Sequence, residues 1–322
     1  MQLERLGKIL DVQMLPDNPW SMEFTQAPFA IQMDETHRIF FSTRSRKDSD
    51  GNYSSYIGYI DYDFKSKKIL NFAKEPIIQL GMVGTFDEHG TYPFSVILEN
   101  NSYLGYYAGW SRKVSVPYDV KIGMVTSSDC QNFLKSGMGP VLGASLDEPM
   151  TISGPRVFKL NERLHLFYLA GEKWEKDEFG RAESIFKIRH AESDDGVSWS
   201  RQNDLLINPI LEEDECQASP TVFQHLGLFH MFFSYKYGSN FRDTNRGYRL
   251  GYAVSEDLKS WERRDEYLSI NESLEDWDNL DISYPCTFQI NENWYLLYQG
   301  NHIGKAGFGF AKINFVRGAV SD

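Results

Sequence analysis

Glu215-Cys216-Gln217-Ala218-Ser219-Pro220-Thr221-Val222-Phe223 opens the stretch that decides the fold. It continues through the turn His225-Leu226-Gly227 into Leu228-Phe229-His230-Met231-Phe232-Phe233-Ser234-Tyr235. A polar loop follows, then Tyr248-Arg249-Leu250-Gly251-Tyr252-Ala253-Val254-Ser255, and the stretch closes with Glu256-Asp257-Leu258-Lys259-Ser260-Trp261. The apolar runs are short, rich in aromatic and β-branched residues, and bounded by Gly, Asn, Asp and Ser. That combination predicts β-strands joined by turns, with a fourth strand after the third.

The pattern repeats along the whole chain. A Pro that opens an apolar strand stands at Pro28, Pro93, Pro155, Pro220 and Pro285, at intervals of 65, 62, 65 and 65 residues. Each is followed by an aromatic second strand, such as Leu164-His165-Leu166-Phe167-Tyr168 or Trp294-Tyr295-Leu296-Leu297-Tyr298. A third strand of the type Leu250-Gly251-Tyr252-Ala253 comes next. Ser193-Asp194-Asp195-Gly196-Val197-Ser198-Trp199 and Ser255-Glu256-Asp257-Leu258-Lys259-Ser260-Trp261 share a turn in which Asp and Ser cap the backbone and Trp drops between repeats. Ser127 to Phe133 is a weaker relative of the same turn. Repeats of this length, each of several strands, predict radial repetition. Five copies predict an all-β, five-bladed β-propeller of four-stranded antiparallel blades, a single domain over residues 1–322. The fifth copy lacks an outer strand, and Leu6-Gly7-Lys8-Ile9-Leu10-Asp11-Val12 is expected to supply it, so that the N-terminal strand closes the last blade and leaves no open edge.

With 45 acidic against 33 basic residues the net charge is −12, which disfavours nucleic acid and anionic membranes as partners. No apolar run approaches the ~18 residues of a membrane span, and the first residues lack the apolar core of a signal peptide. Cys130, Cys216 and Cys286 are odd in number and widely spaced, which suits a reducing compartment and points to the cytoplasm. No metal-spaced His cluster and no cofactor motif appears in the sequence, so no cofactor is expected and no metal ligands are assigned, the axial tunnel being left open to a metal with His302 as a single conceivable ligand.

In a propeller the entrance to each first strand faces the axial funnel. Four of the five repeats carry a carboxylate just before the marker Pro, among them Glu23, Asp87, Glu88, Glu215 and Asp281. Acids converging on one funnel suit chemistry at a glycosidic bond, where one protonates the leaving oxygen and another activates water or attacks the sugar. Glu88, Glu215, Asp87 and Asp281 are the catalytic candidates. Crowded carboxylates raise one another's pKa, which fits one of them to be the acid. Substrate-binding candidates are Glu23, His89, Tyr92, Tyr284 and His302, with Trp110 as a stacking platform. Arg44, Arg112, Lys173 and Lys236 could form a basic ring for an anionic group.

The chain resembles the five-bladed propeller glycosidase superfamily of arabinanases, invertases, levansucrases and mannoside phosphorylases. The resemblance rests on the Pro-led first strand, the aromatic second strand and the Ser-x-Asp-x-x-x-Trp turn, and it spans essentially the whole chain. Phe86-Asp87-Glu88-His89-Gly90, Gly109-Trp110 with Val116-Pro117-Tyr118, and Gly307-Phe308-Gly309-Phe310-Ala311 look like a glycosidase-like branch found with bacterial surface-polysaccharide genes. Arabinanase-like members place Asp directly before the Pro of blades one and two and Glu two residues before that of blade three. Here those positions are Ala27, Tyr92 and Ser153, so the family's catalytic triad is not carried over. Glu215-Cys216 echoes the Glu-Cys pair of invertase-like members, one repeat later. The resemblance implies a carbohydrate or sugar-conjugate substrate. Hydrolysis at a glycosidic bond is the leading reading. Glycosyl transfer or phosphorolysis of an anionic substrate, and a sugar-binding propeller without catalysis, are the alternatives.

Overall fold

The computed structural model describes residues 1–315 except 203, 212, 213, 243, 244 and 274. The fold is almost entirely β, in antiparallel sheets. Strand β1 (Gln2–Leu10) stands apart in sequence from five successive units. Unit one holds β2 (Glu23–Gln32), β3 (His37–Arg44), β4 (Ser55–Asp63) and β5 (Lys68–Phe72). Unit two holds β6 (Gly90–Glu99), β7 (Ser102–Arg112), β8 (Tyr118–Ser127) and β9 (Leu134–Lys135). Unit three holds β10 (Ile152–Leu160), β11 (Arg163–Lys176), β12 (Ala182–Ser193) and β13 (Ser200–Gln202). Unit four holds β14 (Cys216–His225), β15 (Leu228–Lys236), β16 (Arg249–Ser255) and β17 (Glu262–Arg263). After β18 (Ser269–Ile270), unit five holds β19 (Ser283–Ile290), β20 (Asn293–Gln299) and β21 (Phe308–Asn314).

Each unit is an antiparallel meander, and units one and two share one sheet through a single parallel bridge between Ser55 and Gly90. Unit five takes its outer strand from the other end of the chain: β1 runs antiparallel to β21 from Gln2 opposite Asn314 to Leu10 opposite Phe308. The first strands touch in the order β2, β6, β10, β14, β19 and back to β2. Five apolar clusters lie between successive units, and the one joining unit five to unit one contains Ile9, Phe41, Phe288, Leu297 and Phe308. Burial of these large side chains is the main force holding the units together.

The Asp-Ser turns pack as their sequence implies. The Asp195 carboxylate accepts the backbone N–H groups of Val197 and Ser198, and Asp257 accepts those of Lys259 and Ser260. Asp129 does the same for Gln131 and Asn132 in the weaker relative. The aromatic that follows packs on the preceding unit: Phe133 against Phe40, Trp199 against Tyr106, and Trp261 against Phe167.

Each marker Pro sits in a β-bulge. The first strand of every unit slips register there, between Gln26 and Phe29, Thr91 and Phe94, Ser153 and Arg156, Ala218 and Thr221, and Ser283 and Cys286. The residue before the Pro has positive φ in four units: Ala27 (47°), Gly154 (58°), Ser219 (48°) and Tyr284 (54°). In unit two the Tyr92–Pro93 bond is cis. Only Gly154 adopts such a φ without a Cβ penalty. The bulge bends each first strand and re-aims its opening residues. No helix among the described residues is long and apolar enough to cross a membrane, and the three cysteines are free and buried.

Candidate functional site

The acids that precede the first strands divide into two groups. The first group forms a pin that recurs in four units. In unit two, the Tyr107 hydroxyl (2.7 Å) and the Lys135 ammonium (2.5 Å) both donate to Asp87, which is 1% exposed. In unit three, Glu148 accepts from Tyr168 at 2.8 Å and pairs with Arg201. In unit five, Asp278 accepts from Tyr298 at 2.7 Å and from Arg5 at 2.9 Å. In unit four, Glu215 is fully enclosed. It binds Arg263 at 2.8 Å and accepts the backbone N–H groups of Ile210 and Leu211, while Arg263 stacks on the Tyr235 ring at 4.2 Å. The cation comes each time from the outermost strand: β9, β13, β17 or β1. The pin therefore ties the loop before the first strand to the second and the last. Unit one has Ser21 in the corresponding place, buried and with its hydroxyl unpartnered among the described residues, and Trp20 before it donates its indole N–H to the Lys74 carbonyl.

Asp87 and Glu215, expected as catalytic carboxylates, thus belong to this pin. Each already accepts from a cation and two or three further donors, which gives it a structural role in fixing the loop before the first strand. The sequence signal is an acid followed twenty residues later by Tyr: Asp87 and Tyr107, Glu148 and Tyr168, Glu215 and Tyr235, Asp278 and Tyr298.

The second group lies where unit five meets unit one. Asp281 precedes β19, and its backbone N–H is held by Asn301 Oδ1 at 3.0 Å. Burial pushes its carboxyl up to about 7, against hydrogen bonds from Ser283 and the Ile303 backbone and the charge of His302. Its Oδ1 is buried without a hydrogen-bond partner among the described residues. The turn Asn301–Gly304 carries His302 (φ 56°) and Ile303 (φ 57°) in the left-handed region, a true outlier for a β-branched residue. The Ile303 carbonyl accepts the Gln26 side chain from β2. On the same strand Phe24 also has positive φ (65°), and Glu23 accepts the Tyr53 hydroxyl at 2.8 Å. Arg44 bonds Gln26 at 3.3 Å and lies 4.4 Å above the Phe24 ring. Phe24, Ala27, Tyr284, His302 and Ile303 put five strained residues at one junction. Such strain, of order 1–3 kcal/mol each, persists only where surrounding structure enforces it, and it gathers at functional sites.

Tyrosines carpet the space beside this junction. Tyr92 stacks on Tyr284 with centroids 6.2 Å apart, and Tyr248 meets Tyr284 edge-on at 5.8 Å. Burial drives all three hydroxyls well above their ordinary pKa, so they are neutral donors. Trp174 meets Tyr118 edge-on at 5.1 Å, and Glu183 pairs with Arg242 close by.

The remaining expected residues are spread around the rim. Glu88 accepts the Gly84 N–H at 2.8 Å and lies 3.8 Å from His89, which stacks on Trp110. Trp110 donates to Ser55 at 2.7 Å. The expected basic ring is four separate partnerships. Arg112 binds Asp48 and the Tyr53 carbonyl, and Lys173 binds Glu175. Lys236 is 2% exposed, with its ammonium 3.3 Å from the Phe241 ring, and Arg44 stacks as above. Long range explains the discrepancy, since register along the second strands does not fix where flexible cations find partners. Elsewhere, His165, His190 and Glu192 form a group whose ligand atoms lie within 4.8 Å of one another. His165 and His190 hydrogen-bond ring to ring at 3.0 Å, and Arg163 holds Glu192 at 3.0 Å.

The overall fold is similar to that of solved glycoside hydrolases. The chain superposes on a glycosyl hydrolase from Bacteroides ovatus with a TM-score of 0.69, at 14% identity, covering 97% of this chain and 93% of that one. It superposes equally on a structure from the GH130 family of mannoside phosphorylases (TM-score 0.69, 16% identity, 97% and 93% covered). A thermostable family-43 glycoside hydrolase gives 0.63 at 14% identity over 92% and 90%. No protein-family model matches the sequence. Two relatives do: uncharacterized protein MT1551 of Mycobacterium tuberculosis strain CDC 1551 / Oshkosh and uncharacterized protein Rv1502 of strain ATCC 25618 / H37Rv. Each is 30% identical over 313 residues, which is 97% of this chain and 99% of the relative. The chain belongs to the family of these two proteins.

Proposed function

We propose that the five units are the blades of one closed five-bladed propeller over the whole chain, and that the protein is a carbohydrate-active enzyme acting at a glycosidic bond where blade five meets blade one. The circuit of contacts between first strands, and the pairing of β1 with β21, support closure. One observation carries the functional reading. The Asp281 carboxyl is held near pKa 7 by burial at the most strained junction of the molecule, beside the Tyr92, Tyr248 and Tyr284 rings. A carboxylic acid still protonated near neutral pH is what a glycosidic leaving oxygen requires. Asp281 is the proton donor in this reading. Glu23, oriented by Tyr53 on the adjoining strand, is the second carboxylate, and the tyrosines and Trp110 are sugar platforms. The fold neighbours support a sugar substrate, since those solved proteins are glycoside hydrolases and mannoside phosphorylases.

The test is turnover of a panel of nitrophenyl glycosides and oligosaccharides by wild type and Asp281→Asn, each with and without inorganic phosphate. Release of sugar that Asp281→Asn abolishes supports the assignment, and a strict phosphate requirement identifies phosphorolysis. Undiminished turnover in Asp281→Asn overturns the role of Asp281. Glycan binding without turnover of any bound glycan makes the protein a binding module.

A further inference from the structure

Arg156 stands directly after Pro155 at the bulge of β10. Its side chain reaches toward three other first strands. Nη1 donates to the Phe94 carbonyl of β6 at 2.9 Å, and the guanidinium carbon lies 5.4 Å from the Phe29 ring of β2. Cys286 and Tyr284 of β19 and Tyr92 of β6 are the groups whose charge acts on it. A side chain that meets β2, β6 and β19 from β10 lies where the first strands converge. Arg156 is 4% exposed, and its Nε and Nη2 are buried with no hydrogen-bond partner among the described residues.

A guanidinium cannot shed its proton in a protein, and burying it without a counter-charge is costly. No carboxylate is among the groups acting on it. The three that do act are neutral, because burial raises the pKa of the Cys286 thiol and of both tyrosines. The Ser219 hydroxyl, at the bulge of the neighbouring β14, is also buried without a partner among the described residues, whereas the Tyr92 and Tyr284 hydroxyls hydrogen-bond each other. A buried guanidinium with two unpaired donor groups and no counter-charge is a place for an anion.

We propose that the axis of the molecule binds a small monovalent inorganic anion of chloride size on Arg156, as a structural ligand that neutralises the one charge the first strands enclose. This inference does not depend on the sugar reading, and its readout is stability rather than turnover.

The test is thermal melting of the full chain in sodium chloride against sodium gluconate at constant ionic strength, gluconate being too large for an enclosed site. Wild type is expected to gain roughly 2–5 °C, saturably, as chloride replaces gluconate. Arg156→Met is expected to melt alike in both salts. If that variant fails to fold, bromide soaked into wild-type crystals gives an anomalous peak beside Arg156 Nη2. Equal melting of wild type in the two salts with no bromide peak overturns the proposal. Stabilisation by phosphate but not by chloride overturns the monovalent assignment.

Discussion

Replacing Asp281 by Asn should stabilise the protein in alkaline solution while abolishing its chemistry. The wild-type carboxyl titrates near 7 in the fold against an ordinary 3.8. Below pH 3.8 both the folded and unfolded states are protonated, and Asp281 carries no electrostatic penalty. Between 3.8 and 7 the unfolded chain releases a proton that the fold retains, so stability falls as pH rises. Above 7 the full penalty stands, and the gap between the two pKa values corresponds to about 4 kcal/mol. Asn fills the same space, can accept the Ser283 and Ile303 hydrogen bonds through its amide oxygen, and never ionises. The variant's advantage over wild type should therefore grow by about 2 kcal/mol between pH 5.5 and 8.5. Urea unfolding followed by tryptophan fluorescence at the two pH values measures it. In the same variant kcat/KM should fall by roughly 10²–10⁴, the usual worth of a positioned general acid. The activity of wild type should decline above pH 7 as Asp281 deprotonates. A stability difference that does not change with pH, or a variant less stable than wild type at pH 8.5, would show that Asp281 is not a buried, uncompensated acid.

Glu215→Ala removes one of the two carboxylates that hold the enclosed Arg263, Asp265 being the other, and should cost about 1–3 kcal/mol in denaturant unfolding; unchanged stability would remove Glu215 from the pin. Deleting residues 1–10 exposes the edge of β21 and removes Arg5 from Asp278, so the whole molecule should melt earlier. A truncated chain that melts like the intact one refutes closure by β1. Burial lowers His190 and His230 to about 4 from an ordinary 6.5. Stability should thus be complete above pH 6.5 and fall as pH drops toward 4, by about 3 kcal/mol for each histidine. Replacing His230 with Gln should flatten the acid limb of the unfolding free energy.

The legibility of this chain follows from what repeats and what does not. A five-fold architecture asks for the same solution five times, so its structural devices print themselves at a fixed period. The marker Pro, the Asp-Ser turn and the inter-unit Trp were readable because Pro220 and Trp261 had counterparts elsewhere in the sequence. The same logic has a second reading when it is turned to function. Asp87 and Glu215 drew attention because acids recur before the first strands, yet recurrence is what a repeated pin produces. The tyrosine twenty residues after each acid, with a cation from the outermost strand, was the available sign of a structural role. A site on a symmetric scaffold must break the symmetry, and Asp281 does so. It follows the pin acid Asp278 by three residues, has no Arg or Lys acting on it among the described residues, and faces a strained turn, Asn301–Gly304, between the second and third strands of unit five. The partnerships that complete this junction are Gln26 with Ile303 and Tyr92 with Tyr284. They join residues far apart in sequence, and only the packing of one unit on another brings them together. Arg156 is legible in neither way, because it occupies an apolar-strand position like any other and becomes unusual only when four first strands enclose it. Searching a repeated β fold for its site therefore means subtracting the repeat and asking which polar groups are left without a counterpart.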